Sequence, residues 1–289
     1  YNIQKICENA TQNIDKGAVI VMDINSGEIL AMVSKPSFSV NNLQDALSDE
    51  NSPLINRTLY AYNVGSIFKL VTAAEALNEG LSIDYSYNCT GFSEISGQRF
   101  NCHKLSGHGV QNMEQAMTNS CNTYFIDLVQ KIDTNRLWTT SSIFGFGREN
   151  ILCDNIVSSA GNLPSKAELS VSAEKANFSF GQGKLLATPI QIASLTCAIA
   201  NGGKLYNPKL VKGKTYDGTN IENPLEPSYA EVLSPDVAYR LQSFMTAAVN
   251  NNEESNAKPE NVTAAGKTST AQTGRFDDAG IEICQAWIT

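Results

Sequence analysis

Three short polar clusters could carry covalent chemistry: Ser66-Ile-Phe-Lys69, Ser120-Cys121-Asn122 and Lys267-Thr268-Ser269. A serine hydroxyl becomes a useful nucleophile when a base takes its proton, and a lysine serves as that base when its own pKa is depressed. Ser66 and Lys69, spaced i and i+3, fall on one helical face. Lys69 stands among Phe68, Leu70 and Val71, where burial disfavours the ammonium form. A helix start beside Ser66 also offers N–H groups and a positive dipole end to an oxyanion.

Each pattern is weak alone. Ser-x-x-Lys recurs at Ser172 and Ser255, and Ser-x-Asn at Ser39. The ordinary reading of such a serine is a helix cap, with a lysine whose stem lies along apolar surface. Context separates them: Ser66 alone opens a strongly apolar helix, and Ser120 and Asn122 interrupt two helical patterns. Gly266 to Gln272 is a strand of small residues that a ligand backbone can approach. Gly266-Lys267-Thr268 does not read as a phosphate loop, because Asn261 stands where the earlier glycine is needed.

The elements that must position these clusters follow from periodicity. Residues 1–15 read as an amphipathic helix, and 18–23 with 28–33 as a hairpin around Ile24-Asn25-Ser26-Gly27. A polar connection covers about 36–63, and a buried helix spans 65–80 with Gly80 as its stop. Residues 82–110 are short polar segments, followed by helices over 113–117 and 123–132. Thr188-Pro189 opens another helix, and 235–249 forms one more. Residues 262–273 and 281–289 read as strands. The expected class is α/β of the α+β type: an antiparallel sheet built from both termini and flanked by helices. A mostly helical subdomain, roughly 36–190, is inserted between the sheet-forming ends of a single domain, 1–289.

The chain has 289 residues, 42% hydrophobic and 17% charged, which suits a globular domain. A net charge of −8 leaves no basic stripe for phosphates, so nucleic acid is not an expected partner. The longest apolar runs, such as 18–22, fall far short of the roughly 18 residues a bilayer span needs.

The order of the three clusters resembles the penicillin-binding proteins, specifically the class B transpeptidase domain of sporulation, elongation or division type. Further phrases agree: Gly27-Glu-Ile-Leu-Ala-Met, Tyr62-Asn-Val-Gly-Ser, Phe144-Gly-Phe-Gly, Asn177-Phe-Ser-Phe-Gly-Gln-Gly and Thr188-Pro-Ile-Gln-Ile-Ala. The similarity runs from about Gly17 to Thr289. It implies Ser66 as the acylated nucleophile and Lys69 as its base, with Ser120 relaying a proton to the leaving amine. Asn122 would hold the substrate backbone, and Lys267 would tune the field around Ser120 and attract a terminal carboxylate. Thr268 and Thr270 would bind that carboxylate, and the N–H groups of Ser66 and Thr270 would form an oxyanion hole.

The implied reaction is acyl transfer from D-Ala-D-Ala of a peptidoglycan stem peptide to a neighbouring stem, inhibited by β-lactams and requiring no cofactor. The resemblance also implies an extracytoplasmic location at the bacterial membrane and cell-wall machinery, including a glycosyltransferase, as partner. The anchor and pedestal such proteins carry are absent from these residues, and the last strand ends early, so the chain looks truncated. Ser269 stands where the family usually has glycine; it is expected to crowd the strand or the groove and lower affinity for some cephalosporins. The alternatives are a serine β-lactamase and a non-catalytic β-lactam sensor. Against the first, Lys166 and Ser170 replace the Glu and Asn of the Glu-x-x-Leu-Asn deacylation pattern.

Seven cysteines form no Cys-x-x-Cys pair, and Cys121 and Cys197 read as small buried hydrophobes. Asp84, Cys89, Cys102 and His108, with His103 as substitute, have zinc-ligand chemistry, and both histidines of the chain fall here. A Cys89–Cys102 disulfide or free thiols are the alternatives. Some clostridial members of the resembled family carry zinc beside the active site; here it would brace the loop before Ser120.

Overall fold

The computed structural model describes residues 1–222, 224–251 and 257–289. Helix α1 (Asn2–Ala10) ends sooner than expected: Thr11 leaves helical dihedrals at φ −104°, ψ 13°, and the next N–H, of Gln12, donates to Asn9 O instead of continuing the i→i−4 ladder. Its Gln4 side chain donates to Met32 O and accepts from Met32 N, covering a strand edge as another strand would. That strand belongs to the antiparallel hairpin of β1 (Gly17–Met22) and β2 (Ile29–Lys35). The Asp23 carboxylate accepts from Asn25 N–H and the Ser26 hydroxyl, folding the expected turn.

After α2 (Leu43–Ser48) and the short β3 (Tyr62–Asn63), a 3-10 turn over Gly65–Phe68 leads into α3 (Lys69–Asn78). The helix expected over 65–80 is thus tightened at its start, where Gly65 enters at φ +60°. Its end is as expected: Gly80 N–H donates to Leu77 O and Leu81 N–H to Ala76 O. Every residue from Lys69 to Ala76 is buried, as an all-round apolar pattern demands.

Residues 82–111 fold into β4 (Tyr87–Cys89), β5 (Phe92–Ile95), β6 (Gln98–Asn101) and β7 (Gly109–Gln111). β4 pairs with β7 and β5 with β6, both antiparallel. Helices α4 (Met113–Thr118) and α5 (Asn122–Leu128) break where the sequence indicated, and α6 (Thr134–Ile143) is capped by Asp133. β8 (Ile151–Cys153) and β9 (Ile156–Val157) form a small hairpin before α7 (Ser172–Ser179), and β10 (Leu186–Ala187) pairs back onto β3. Thr188 and Gln191 make a reciprocal capping box at the start of α8 (Pro189–Ala200). β11 (Lys204–Tyr206) pairs with β12 (Tyr229–Glu231), and Ser234 caps α9 (Pro235–Asn250).

The C-terminal hairpin is β13 (Thr268–Phe276) with β14 (Glu282–Ile288). The strand expected from residue 262 starts later because its ladder begins where Lys267 and Thr289 exchange two backbone bonds. Helix α3 forms the centre of the core, packed by α4, α5, α6 and α9. Helices between two terminal hairpins give the expected α/β class. In the described residues each hairpin is its own two-stranded ladder, and the segment 36–190 carries short strands as well as helices. No described helix is long and apolar enough to cross a membrane.

Candidate active site

Ser66 lies inside the 3-10 turn, and its hydroxyl caps nothing; it accepts from Lys69 Nζ at 2.9 Å. Lys69 is fully buried, and its Nζ also donates to Ser120 O at 2.6 Å and Asn122 Oδ1 at 2.7 Å. Burial, reinforced by the charge of Lys267, holds the Lys69 pKa well below that of an ordinary lysine. A neutral amine has two hydrogens and one lone pair. As an ammonium Nζ donates to all three oxygens; as the neutral amine its two hydrogens go to Ser120 O and Asn122 Oδ1, which only accept, and the lone pair faces the Ser66 hydroxyl.

Ser120 owes its position to how α4 ends. Ser120 N–H donates to Met117 O and Cys121 N–H to Ala116 O, a pairing that needs a left-handed residue between helix and exit. Ser120 fills that place at φ +50°, where glycine is the usual occupant. The turn aims its carbonyl and its hydroxyl at the lysines: Oγ is 3.0 Å from Lys267 Nζ and 3.3 Å from Lys69 Nζ. Burial lowers the Lys267 pKa to about 8, and its Nζ also donates to Thr268 O.

The two bonds between Lys267 and Thr289 fix the alternation along β13. Thr268 and Thr270 oppose Ile288 and Ala286 at non-hydrogen-bonded positions, so their N–H and C=O project from the open edge toward the Ser66 turn. Two carbonyls of that edge, at Thr268 and Gln272, indeed accept from Lys267 and Asn63 side chains. Both threonine side chains are exposed, whereas Ser269 and Ala271 point inward. Ser269 therefore lies against the Ser66 turn, the first of the two effects expected of it, and not in the groove. Its hydroxyl donates to Val64 O at 2.9 Å and accepts the Ser66 N–H at 2.8 Å.

The remaining phrases support this turn from behind. Phe146 and Phe178 pack their rings on Phe68 at 5.4 and 4.6 Å between centroids. Gly181 brings its backbone so close that a Cβ would lie 2.1 Å from Gly65 O, and Gly65 N–H donates to Gly181 O. The Gln191 amide donates to the carbonyls of Gly145, Arg148 and Ala160, pinning the loop that presents Phe146. Gln285 and Trp287, which the sequence reading passed over, accept from Asn63 N–H and donate to Asn63 O. Their alternation along β14 was the available signal.

The other patterned serines do different work. Ser39 accepts from Asn41 N–H, Ser172 opens the separate helix α7, and Ser255 lies outside the described residues. Lys166 sits over the Trp138 ring, and Glu168 pairs with Lys184 at 2.6 Å. Among the described residues no carboxylate hydrogen-bonds to Ser66 or Lys69.

The thiol–imidazole cluster corrects the expected ligand set. Asp84 is exposed and outside it; Cys89, Cys102, His108 and Cys121 bring their ligand atoms within 4.8 Å of one another. Cys121 escaped the sequence reading because its partners lie in other segments and a lone cysteine near helical patterns reads as a small hydrophobe; the signal was its place between Ser120 and Asn122. His103 is exposed, its Nδ1 4.0 Å from Cys102 Sγ. All seven cysteines are free thiols, so Cys89 and Cys102 are not bridged. Cys102 and Cys121 sulfurs are 3.9 Å apart, and His108 Nδ1 lies 3.5 and 3.6 Å from Cys102 and Cys89. A tetrahedral zinc with bonds of about 2.3 Å to sulfur and 2.0 Å to nitrogen requires edges of about 3.8 and 3.5 Å. The residues fit that ion. The hydrogen bond shared with Cys121 pulls the Cys102 thiol pKa down, toward the thiolate form that a metal takes.

Residues 17–287 match the family model for the penicillin binding protein transpeptidase domain. Stage V sporulation protein D of Bacillus subtilis is 30% identical over 93% of this chain and 43% of its own. Peptidoglycan D,D-transpeptidase MrdA of Haemophilus influenzae is 30% identical over 95% of this chain and 47% of its own. The chain thus spans under half the length of either relative. The crystal structure of penicillin-binding protein A from Mycobacterium tuberculosis superposes with a TM-score of 0.87 at 26% identity, covering 99% of this chain and 68% of that one. That protein has also been solved as a ceftriaxone acyl-enzyme, which superposes with a TM-score of 0.84 at 26% identity over 94% of this chain and 64% of that one.

Proposed function

The chain belongs to the penicillin-binding-protein transpeptidase family, and on that premise we propose that it is the acyl-transfer unit of a peptidoglycan D,D-transpeptidase. The observation that carries this reading is the placement of Ser66 Oγ 2.9 Å from a fully buried lysine whose remaining bonds go to Ser120 and Asn122.

Lys69 takes the Ser66 proton, and Oγ attacks the carbonyl between the two D-alanines of a stem peptide. The C–O bond forms and the carbonyl electron pair moves onto oxygen, which the N–H groups of Ser66 and Thr270 receive. Collapse breaks the C–N bond. The Ser120 hydroxyl gives its proton to the departing D-Ala amine and regains one from Lys69, so the proton lost by Ser66 leaves with the product. Thr268, Thr270 and the Lys267 charge bind the terminal carboxylate, and Asn122 holds the peptide backbone. An amine of a second stem peptide enters by the reverse sequence, releasing Ser66 and making the cross-link. In a β-lactam the broken C–N bond lies in a ring, so the leaving amine stays tethered and the ester persists.

Cys89, Cys102, His108 and Cys121 would hold a structural zinc, which supplies no chemistry to this transfer and fixes the backbone on which Ser120 and Asn122 ride. The unit acts outside the cytoplasm at the bacterial membrane, within cell-wall machinery that includes a glycosyltransferase. Intact-mass analysis after penicillin treatment tests the reading: one adduct is expected on the native chain and none on Ser66→Ala, and an unmodified native chain overturns it. A cross-linking assay on lipid-linked stem peptide, beside β-lactam labelling and hydrolysis, separates a transpeptidase from a sensor and from a β-lactamase.

A further inference from the structure

The Ser66 N–H is already engaged. It donates to Ser269 Oγ at 2.8 Å, and the same oxygen donates to Val64 O at 2.9 Å. Ser269 is 6% exposed, and its Oγ fills space left by Gly65, whose missing Cβ would lie 2.4 Å from it. The open β13 edge leaves the Thr270 N–H facing the same turn. One oxyanion donor is therefore available and the other is occupied by a neutral hydroxyl.

We propose that Ser269 is a positioning residue that latches the nucleophile turn to β13 and must surrender the Ser66 N–H whenever an oxyanion forms. This rests on the acyl-transfer reading of Ser66. An oxyanion takes the N–H because charge-assisted bonds outcompete neutral ones, while the Ser269 hydroxyl keeps its hold on Val64 O. The exchange gives up one neutral hydrogen bond in every step that passes through a tetrahedral intermediate. The latch therefore slows acylation and deacylation alike, and leaves the initial noncovalent binding alone, because the hydroxyl faces inward rather than into the groove.

Ser269→Ala removes the hydroxyl and keeps Cβ; Ser269→Gly removes both. With a fluorescent penicillin under single-turnover conditions, both variants are expected to raise the limiting acylation rate by about 2- to 10-fold, the worth of one neutral hydrogen bond. Release of the acyl group should rise by a similar factor, with the noncovalent dissociation constant unchanged. Acylation equal to or slower than the native rate in variants with native melting curves overturns the latch, as does a gain that appears only in the dissociation constant. A native chain that takes up no penicillin refutes the acyl-transfer reading instead, so the two failures are distinct.

Discussion

Lys69 and Lys267 are both buried cations in origin, and their different surroundings divide their roles. Burial and the Lys267 charge hold the Lys69 pKa well below that of an ordinary lysine, which favours the neutral amine that can receive a proton while Ser120 O and Asn122 Oδ1 accept its hydrogens. Lys267 keeps a pKa of about 8, so it is largely charged at neutral pH and still donates to Ser120. Penicillin acylation should therefore follow a bell-shaped pH profile. The rate falls toward acid as Lys69 becomes protonated, and falls above about pH 8 as Lys267 loses its proton. In Lys267→Arg, which cannot titrate in this range, the alkaline limb should disappear. An alkaline limb unchanged in that variant would assign it to another group. The three clusters were legible at this scale from residue type and position. The Ser269 bond to Ser66 N–H was not, since it depends on an inward side chain meeting a turn 203 residues away.

At the scale of elements, the site is assembled by helix ends and not by helix bodies. The left-handed exit of α4 aims Ser120, the left-handed entry at Gly65 sets the nucleophile turn, and the N-terminus of α8 supplies Gln191 to hold the loop behind Phe68. Gln191 is 1% exposed, and its amide serves three backbone carbonyls. Gln191→Ala should cost about 2–4 kcal/mol by leaving those acceptors without a donor. Gln191→Glu should cost more although it keeps the capping box, because it sets a carboxylate against the same three oxygens. Melting curves rank the two, and equal losses would mean that the carbonyls find other donors. Periodicity located most of these elements. It misplaced their ends, because α1 tightens to i→i−3 bonds after Thr11 and β13 starts only where a partner strand exists.

At the scale of the whole molecule, the thiol–imidazole cluster ties the β4–β7 region to the turn that carries Ser120. If it holds zinc, the purified chain should contain about one equivalent, and chelation should lower the melting temperature by several degrees. Cys121→Ser should lose most of the metal, while Asp84→Ala should retain it. Metal content that follows Asp84 and not Cys121 would reverse the assignment of ligands. The sequence by itself determined the three polar clusters, the α/β class and the family. Those depend on residue type, short spacing and hydrophobic period, which local chain geometry imposes. Only the tertiary structure decided that Cys121 joins Cys89, Cys102 and His108, that Asp84 does not, and that Ser269 occupies the Ser66 N–H. Each of these is a meeting of separate segments, set by how β4 and β7 pack against α4 and α5 and how β13 packs against the Ser66 turn.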